Sequence, residues 1–512
     1  MERRSKCIII CSLLWFMLLR SFDISILFSF KTWKQRDSDL YKFILNSVAI
    51  LFYIPLPIFS LFAEIKFGLL KTAIAITCIE AVCSLCYTIL SVLDGSVIDT
   101  VTSVVVPLFL FAQVYFETLV LCFIANELTE SSCRSDHFST YVWWHVWCAH
   151  TGSMVTEVSS CLFESYNNFE AYASSVHFTF LIVIIISALF IKKWTIRYNY
   201  TVNPLKLISS VLCFALKNKY PLKRSALTYW EETEPSRINL GKAKYGGPFL
   251  EKDVESVKTF LRLTPLLIVM TMIYFPFQTL GRLTEKKGSL PFCFLFRTYV
   301  AEYVVIIISV PLYQFIIKPY CPRKMRLSIL KRTGLGIALV VLAKFGYIAL
   351  DLLIAVPAHA NNNETICLVK SAINDTGYHD MIISYESFLY YYMIPTCINS
   401  LGALLTITGS LEFVFAQAPY SMRGLLIGLW FSFSRIYAAV GWMMVKPIEA
   451  AIGGTSYTVM KMFSMLTMLL RLIMKMNLID VIKFVLMVAH LKLFIIIFNS
   501  LYNFCMQIII IK

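Results

Sequence analysis

Five carboxylates lie inside long apolar stretches of the chain: Glu80, Glu117, Glu302, Asp351 and Glu412. An ionised side chain at bilayer depth costs at least ~2.5–3.5 kcal/mol, so an acid kept there is a candidate for work. The chemistry open to it is cation binding and proton transfer. In a low dielectric a carboxylate attracts an ammonium group far more strongly than it would in water. The same desolvation favours its protonated form when no cation is present. One acid can thereby link occupancy of a site by a proton to occupancy by a solute. His145 and His150 share a further apolar stretch, as proton relays or as hydrogen-bonded packing residues.

Other chemistries lack their residues. The chain has no GxxxxGK[ST] loop to cradle a nucleotide, no GxSxG elbow and no HExxH pair. An ATP motor and hydrolysis therefore have no support, and no enzyme activity or cofactor is expected. The 15 cysteines are scattered, mostly in apolar runs such as that holding Cys78, Cys83 and Cys86. No CxxC pair stands beside histidines, so helix packing is the expected role and no metal site is expected. Cys367, in a polar loop, is the one open to a disulfide.

The elements that must carry these groups follow from composition. Of 512 residues, 58% are hydrophobic and 15% charged. A soluble domain averages roughly 45–50% apolar and about 25% charged residues, so this chain cannot coat a soluble surface of its size. At about 20 residues per spanning helix, a dozen spans would use roughly 240 residues. Apolar stretches of that length fall near 8–30, 43–65, 69–92, 101–125, 141–162, 174–191, 261–280, 293–316, 335–356, 385–414, 424–445 and 479–500. The first is interrupted by Arg20 and Asp23, and its basic start resembles a signal peptide without a cleavage site.

The net charge of +15 belongs in cytoplasmic loops rather than on a nucleic-acid face. The insert from Lys192 to Asp253 carries eight basic residues in its first half, from Lys192 to Arg224, and the loop 317–332 is basic with no acid. Both are assigned to the cytoplasm. Loops 93–100 and 163–173 are acidic and external, and 357–384 holds two glycosylation sequons at Asn363 and Asn374. Loops 31–42 and 281–290 depart from the rule. The majority places both termini inside. The expected fold is an all-α polytopic membrane protein of major-facilitator outline, two six-helix bundles about a midplane cavity. Its parts are an N-terminal bundle (1–191), a cytoplasmic linker (192–260), helices seven to eleven (261–445) and a divergent tail with a possible last helix (446–512).

Four stretches carry a family resemblance. The run Leu411-Glu-Phe-Val-Phe-Ala-Gln-Ala-Pro-Tyr-Ser-Met-Arg-Gly, continuing to Leu429-Trp430, resembles the LEFxYSQAPxSMKS signature of the proton-coupled oligopeptide transporter (POT/PTR, solute carrier family 15-like) family. Val257-Lys-Thr-Phe-Leu-Arg-Leu-Thr-Pro265 resembles that family's entry into helix seven. Val310-Pro-Leu-Tyr, Pro319 and Leu330-Lys-Arg-Thr-Gly-Leu-Gly336 resemble its helix-eight exit and helix-nine entry. Residues 57–74, with Glu64, Gly68 and Lys71, resemble the gate turn after helix two. The central insert has the style of invertebrate members.

The resemblance implies that Glu412 binds a substrate's terminal amine and takes part in proton coupling; its other reading is a glutamate near the cytoplasmic end of helix ten that merely reaches the interface. It also implies that Trp430, Glu302 and, more weakly, Tyr274 line the site. Glu302 has a second reading, pairing with Arg297. Departures are equally informative. The first helix lacks the family's ExxERFxYY motif and offers only Arg20 and Asp23, while Glu117 stands near the place of the family's fourth-helix lysine. Glu117 would reverse the local charge and repel a substrate carboxylate. Glu117 and Glu302 are further proton-coupling candidates.

The expected function is secondary-active, proton-coupled transport of di- and tripeptides by a monomer in the plasma or endolysosomal membrane. The partners are the solute, protons and the lipid bilayer, with the proton gradient as driving force and no nucleic acid. Two alternatives stand beside it: carriage of another small solute such as histidine or nitrate without standard coupling, and a transport-inactive sensor or scaffold.

Overall fold

The computed structural model describes residues 2–23, 47–92, 97–128, 134–162, 169–193, 203–218, 236–272, 274, 292–320, 327–353 and 376–443. The sequons at Asn363 and Asn374, Cys367 and the 446–512 tail with its possible last helix lie outside them. Within them the chain is helical, and the one β feature is an isolated bridge between Lys242 and Phe249. The helices are α1 (Glu2–Arg20), α2 (Ser47–Phe67), α3 (Leu69–Val92), α4 (Val97–Glu127), α5 (Arg134–Leu162) and α6 (Phe169–Lys192). A linker helix α7 (Pro204–Lys217) follows, then α8 (Glu251–Thr271), α9 (Phe292–Pro311, continued as a wider turn to Tyr320), α10 (Ile329–Leu353), α11 (Thr376–Gln417) and α12 (Arg423–Met443). The expected all-α membrane architecture is what the structure shows, with six helices before the linker and five described after it.

Among the described residues seven helices are long and apolar enough to cross a membrane: α2, α3, α6, α11, α12 and the apolar parts of α4 and α9. α5, with Arg134, Asp136, His145, His150 and Glu157 along it, is not among the seven. α1, whose apolar part Cys7–Arg20 is shorter than a span, is nevertheless packed into the bundle. Ile8, Trp15, Phe16 and Leu19 are buried, Trp15 Nε1 donates to Ser187 Oγ of α6 at 2.8 Å, and the helix stops at Arg20, short of the expected position 30.

Packing sorts the helices into two sets. In the first half α3 lies against α4 and α6, and α1 against α4, α5 and α6. In the second, α11 packs along α10 and α9, and α8 meets α11 and α12. Among the described residues four helix pairs carry most of the contact between the halves: α2 with α12, α5 with α9, α5 with α11, and α4 with α12. Up-and-down connectivity puts the end of α2, α4, α6, α9 and α11 and the start of α3, α5, α8, α10 and α12 on the side where the linker emerges, called here the linker end.

Two glycines shape that end. α2 closes in a widened π turn (Ala63–Phe67), and Gly68, at φ +86°, lets the chain reverse into α3; a side chain would be strained there. Gly428 on α12 lets the halves touch, because a Cβ there would meet Ser60 Oγ and lie 2.8 Å from Pro57 Cα of α2. With Gly424 it forms a small-xxx-small ridge, a pattern that lets membrane helices approach closely. Gly428→Val is expected to destabilise the protein by about 1–3 kcal/mol through overpacking. Thermal unfolding of the purified variant measures it, and an unchanged midpoint would mean that α2 and α12 do not meet as described.

The linker is a folded clamp. Asn203 caps α7 by accepting from Leu205 N at 3.1 Å, and Leu207, Val211 and Ala215 line its buried face. The Lys242–Phe249 turn lies at the start of α8, and Lys242 Nζ is bound by Glu255 (2.5 Å) and Glu251 (3.1 Å). Burial alone would lower the Lys242 pKa, but its hydrogen bonds to the two carboxylates raise it above the ordinary value. Those same bonds hold Glu251 and Glu255 below the usual carboxylate range.

Candidate functional site

Charged side chains bind across the seam at two depths, to polar groups of the other half at the first and to its charged groups at the second. The first lies near the linker end. Glu412 is five residues from the end of α11 and Arg332 three from the start of α10, so both lie within roughly 8 Å of the helix ends at 1.5 Å per residue. Arg332 Nη2 donates to Glu412 Oε2 in a buried ion pair. Glu412 Oε1 accepts from Ser139 Oγ at 2.8 Å and from Trp143 Nε1 at 3.1 Å, both on α5. Glu412 therefore joins α10 and α11 of the second half to α5 of the first. Trp143 stacks on Tyr313 of α9 at 4.0 Å between centroids, and Lys318 Nζ donates to Thr140 Oγ1 at 2.6 Å. Phe138 of α5 stacks on Phe415 of α11 at 3.9 Å, with the Arg423 guanidinium 4.4 Å from the Phe415 ring. Aromatic rings and one paired acid close the seam at this level.

Beside it lies the turn after α2. Glu64 is buried, accepts from Asn126 Nδ2 of α4 at 2.6 Å, and rests against Gly424 in the first turn of α12. A carboxylate is favoured near a helix N-terminus, where unpaired backbone N–H groups carry partial positive charge. Gly68 makes the turn, and Lys71 is exposed on α3.

The second level is deeper. Glu117 lies ten residues from the linker end of α4, His145 eleven residues into α5 and Arg435 twelve into α12, or roughly 15–18 Å, the middle of a ~30 Å hydrocarbon core. Glu117 Oε2 accepts from Arg20 Nη2 of α1 at 3.2 Å and from Arg435 Nη2 of α12 at 3.1 Å. His145 Nε2 is 3.4 Å from Oε1. Arg20 also donates to Gln113 Oε1 at 3.1 Å and sits 3.5 Å from Asp23, which takes a 2.6 Å bond from Gln113 Nε2. The expectation that Glu117 presents bare negative charge is thereby corrected: two guanidiniums, one from each half, neutralise it. Arg20 and Asp23, which looked like interruptions of an apolar run, form the first-half side of this cluster.

The remaining expected residues take different places. Trp430 is buried, donates from Nε1 to Ser410 Oγ at 3.0 Å, and meets Tyr274 edge to face at 6.1 Å. Glu302 on α9 is half-buried, with Lys344 of α10 as the opposite charge acting on it; the Arg297 side chain lies outside the described residues. Glu80 pairs with His177 at 3.8 Å between α3 and α6, inside the first half and away from the seam. His150 Nδ1 bonds Val146 O at 2.8 Å and its ring lies against Tyr303. The Asp351 side chain is outside the described residues. Among the described residues no group of three His, Cys, Asp or Glu gathers to hold a metal ion.

Sequence reasoning passed over Arg332 and Arg435. The signal was available, because a lone cation in an apolar helix is as costly as a lone acid. Arg435 stands alone in the run Leu425–Met443. Trp143 and Ser139 carried no such mark.

Residues 299–460 match the family model PTR2, described as the POT family. Among solved structures, an autoinhibited POT family peptide transporter superposes at TM-score 0.57, with 14% identity over 91% of this chain and 95% of that one. The POT family transporter PepTSo gives 0.58, with 15% identity over 92% and 97%. A bacterial homologue of the iron transporter ferroportin, outward-facing, gives 0.53 with 12% identity over 90% and 97%. At these identities the likeness is one of fold, and it extends to carriers of unlike solutes. Residues 299–460 thus resemble the POT family in sequence, and the described residues resemble solved POT family transporters in fold.

Proposed function

We propose that the chain is a secondary-active transporter of small peptides or peptide-like zwitterions, driven by protons and working by alternating access between its halves. The observation that carries this reading is the pair of charge-bearing levels on one seam, with acids and guanidiniums contributed by both halves. The linker end, cytoplasmic by its charge, is shut by the Glu412–Arg332–Trp143 layer and the α2–α12 contact. Opening there separates α5 from α11, which breaks the Ser139 and Trp143 bonds and bares Glu412 to an ammonium or a proton. A solute amine and Arg332 then compete for one carboxylate. Such competition moves the equilibrium only because Glu412 is differently occupied in the two states. The membrane is plasma or endolysosomal.

The test is uptake of labelled dialanine into proteoliposomes with an inward proton gradient. Uptake should rise with the gradient, collapse with a protonophore, and fall ~10-fold or more in Glu412→Gln, the loss of one charge-assisted contact. Uptake indifferent to both gradient and substitution rejects the mechanism. A second reading, carriage of another small solute, is favoured by one observation: α4 places an acid, Glu117, where the family carries a lysine, and the ExxERFxYY motif is missing from α1. Competition by histidine, nitrate and dipeptides in the same vesicles separates the two.

A further inference from the structure

The midplane cluster is unevenly bound. Arg20 is held by Glu117, Gln113 and Asp23. Arg435, on the opposite half, makes one hydrogen bond among the described residues, from Nη2 to Glu117 Oε2. A guanidinium carries five N–H donors in a rigid fork that matches a carboxylate two bonds at a time, so most of the donors of Arg435 are uncommitted. Its side chain is also the most open of the group, 34% exposed against 18% for Arg20 and 10% for Glu117. Because that guanidinium donates to Glu117 of α4, it reaches across the contact between the halves. Tyr53 of α2 and Tyr274 lie within its electrostatic reach, and Tyr274 is backed by Trp430.

We propose that Arg435 is the receptor for a solute carboxylate and that Glu117 is the internal carboxylate which occupies it when the solute is absent. This rests on the transport reading above and assigns the acidic end of the solute to the second half. A bidentate carboxylate on Arg435 replaces a single shared contact with two charge-assisted bonds. Glu117 is not orphaned by the exchange, because Arg20 at 3.2 Å and His145 at 3.4 Å still hold it. The exchange has a mechanical consequence. Glu117–Arg435 ties α4 to α12 across the seam, so an arriving carboxylate unties the halves at mid-depth. Binding then favours the conformational change by exactly the contact it removes from one state, which is the requirement for a ligand to shift an equilibrium.

The experiment measures binding to the purified full chain in lipid nanodiscs with three probes: dialanine, dialanine amide and N-acetyl-dialanine. Wild-type protein should bind the two acids at least ~10-fold more tightly than the amide, the value of one charge-assisted contact. In Arg435→Gln the acids should weaken to the level of the amide while the amide is unchanged. Glu117→Gln, which removes the internal competitor, should tighten the acids and leave the amide alone. Folding of each variant is checked by gel filtration, and Arg435→Lys keeps the charge should the glutamine variant misfold. Equal weakening of acid and amide in Arg435→Gln would show a merely structural arginine and overturn the proposal. So would amide binding as tight as the acid, or failure of all three probes to bind wild-type protein. Binding of N-acetyl-dialanine but not dialanine would leave Arg435 in place and reject Glu412 as an amine site, which separates the two readings.

Discussion

Arg332→Ala should cost about 3–5 kcal/mol of stability, the usual penalty for leaving one member of a buried ion pair behind. Both partners are nearly sealed, at 7% and 5% side-chain exposure, so solvent screens little of the loss. Glu412 would keep its bonds from Ser139 and Trp143, and these hold the effect toward the lower end of that range. The control is the double variant Arg332→Met with Glu412→Leu. Buried pairs replaced together by apolar residues of similar volume are often neutral or stabilising, so the double variant should unfold close to wild type while losing transport. Thermal unfolding in the presence of a fixed lipid–detergent mixture gives both numbers. A single variant as stable as wild type, or a double variant no better than the single, would show that the pair is not the linker-end closure described here.

Glu117→Gln is expected to have the next largest effect. It leaves the Arg20 and Arg435 guanidiniums, previously 3.2 and 3.1 Å from one carboxylate oxygen, facing each other across the seam without it. Arg20 retains Asp23, but Arg435 does not share that partner. Because Arg435 is a third exposed, the cost should sit at or below the lower end of the ~3–5 kcal/mol range for a broken buried pair. The halves should also part more readily. Ser432 Oγ donates to Tyr53 O at 2.8 Å where α12 meets α2, so a disulfide between cysteines placed at positions 53 and 432 reports that approach. In a background freed of native cysteines, the cross-link should form more slowly with Glu117→Gln than without it. Adding Arg435→Gln removes the unpaired charge and should recover most of both losses. Unchanged cross-linking and unchanged unfolding together would mean that the bridge does not hold the halves.

The legible part of this protein was its scale and its cost structure. Composition, the period of apolar stretches and the basic linker determined a polytopic helical bundle in two halves, because the bilayer demands spans of one length and leaves little room for charge. The same cost marked Glu117 and Glu412 as positions where something must compensate. Hydropathy alone could not say what the charges in the first apolar run do: Arg20 and Asp23, which interrupt it, are bound in the midplane cluster.

What only the tertiary structure decided was the identity of each partner. Arg332 lies 80 residues from Glu412, and Arg435 lies 318 residues from Glu117; no local periodicity couples positions so far apart. Helix packing brings them together, and a charge in low dielectric takes its chemical character from whatever stands within a few ångströms. Glu117, which by sequence alone was a lone negative group opposed to an acidic solute, becomes in the folded chain a neutralised bridge between halves for that reason.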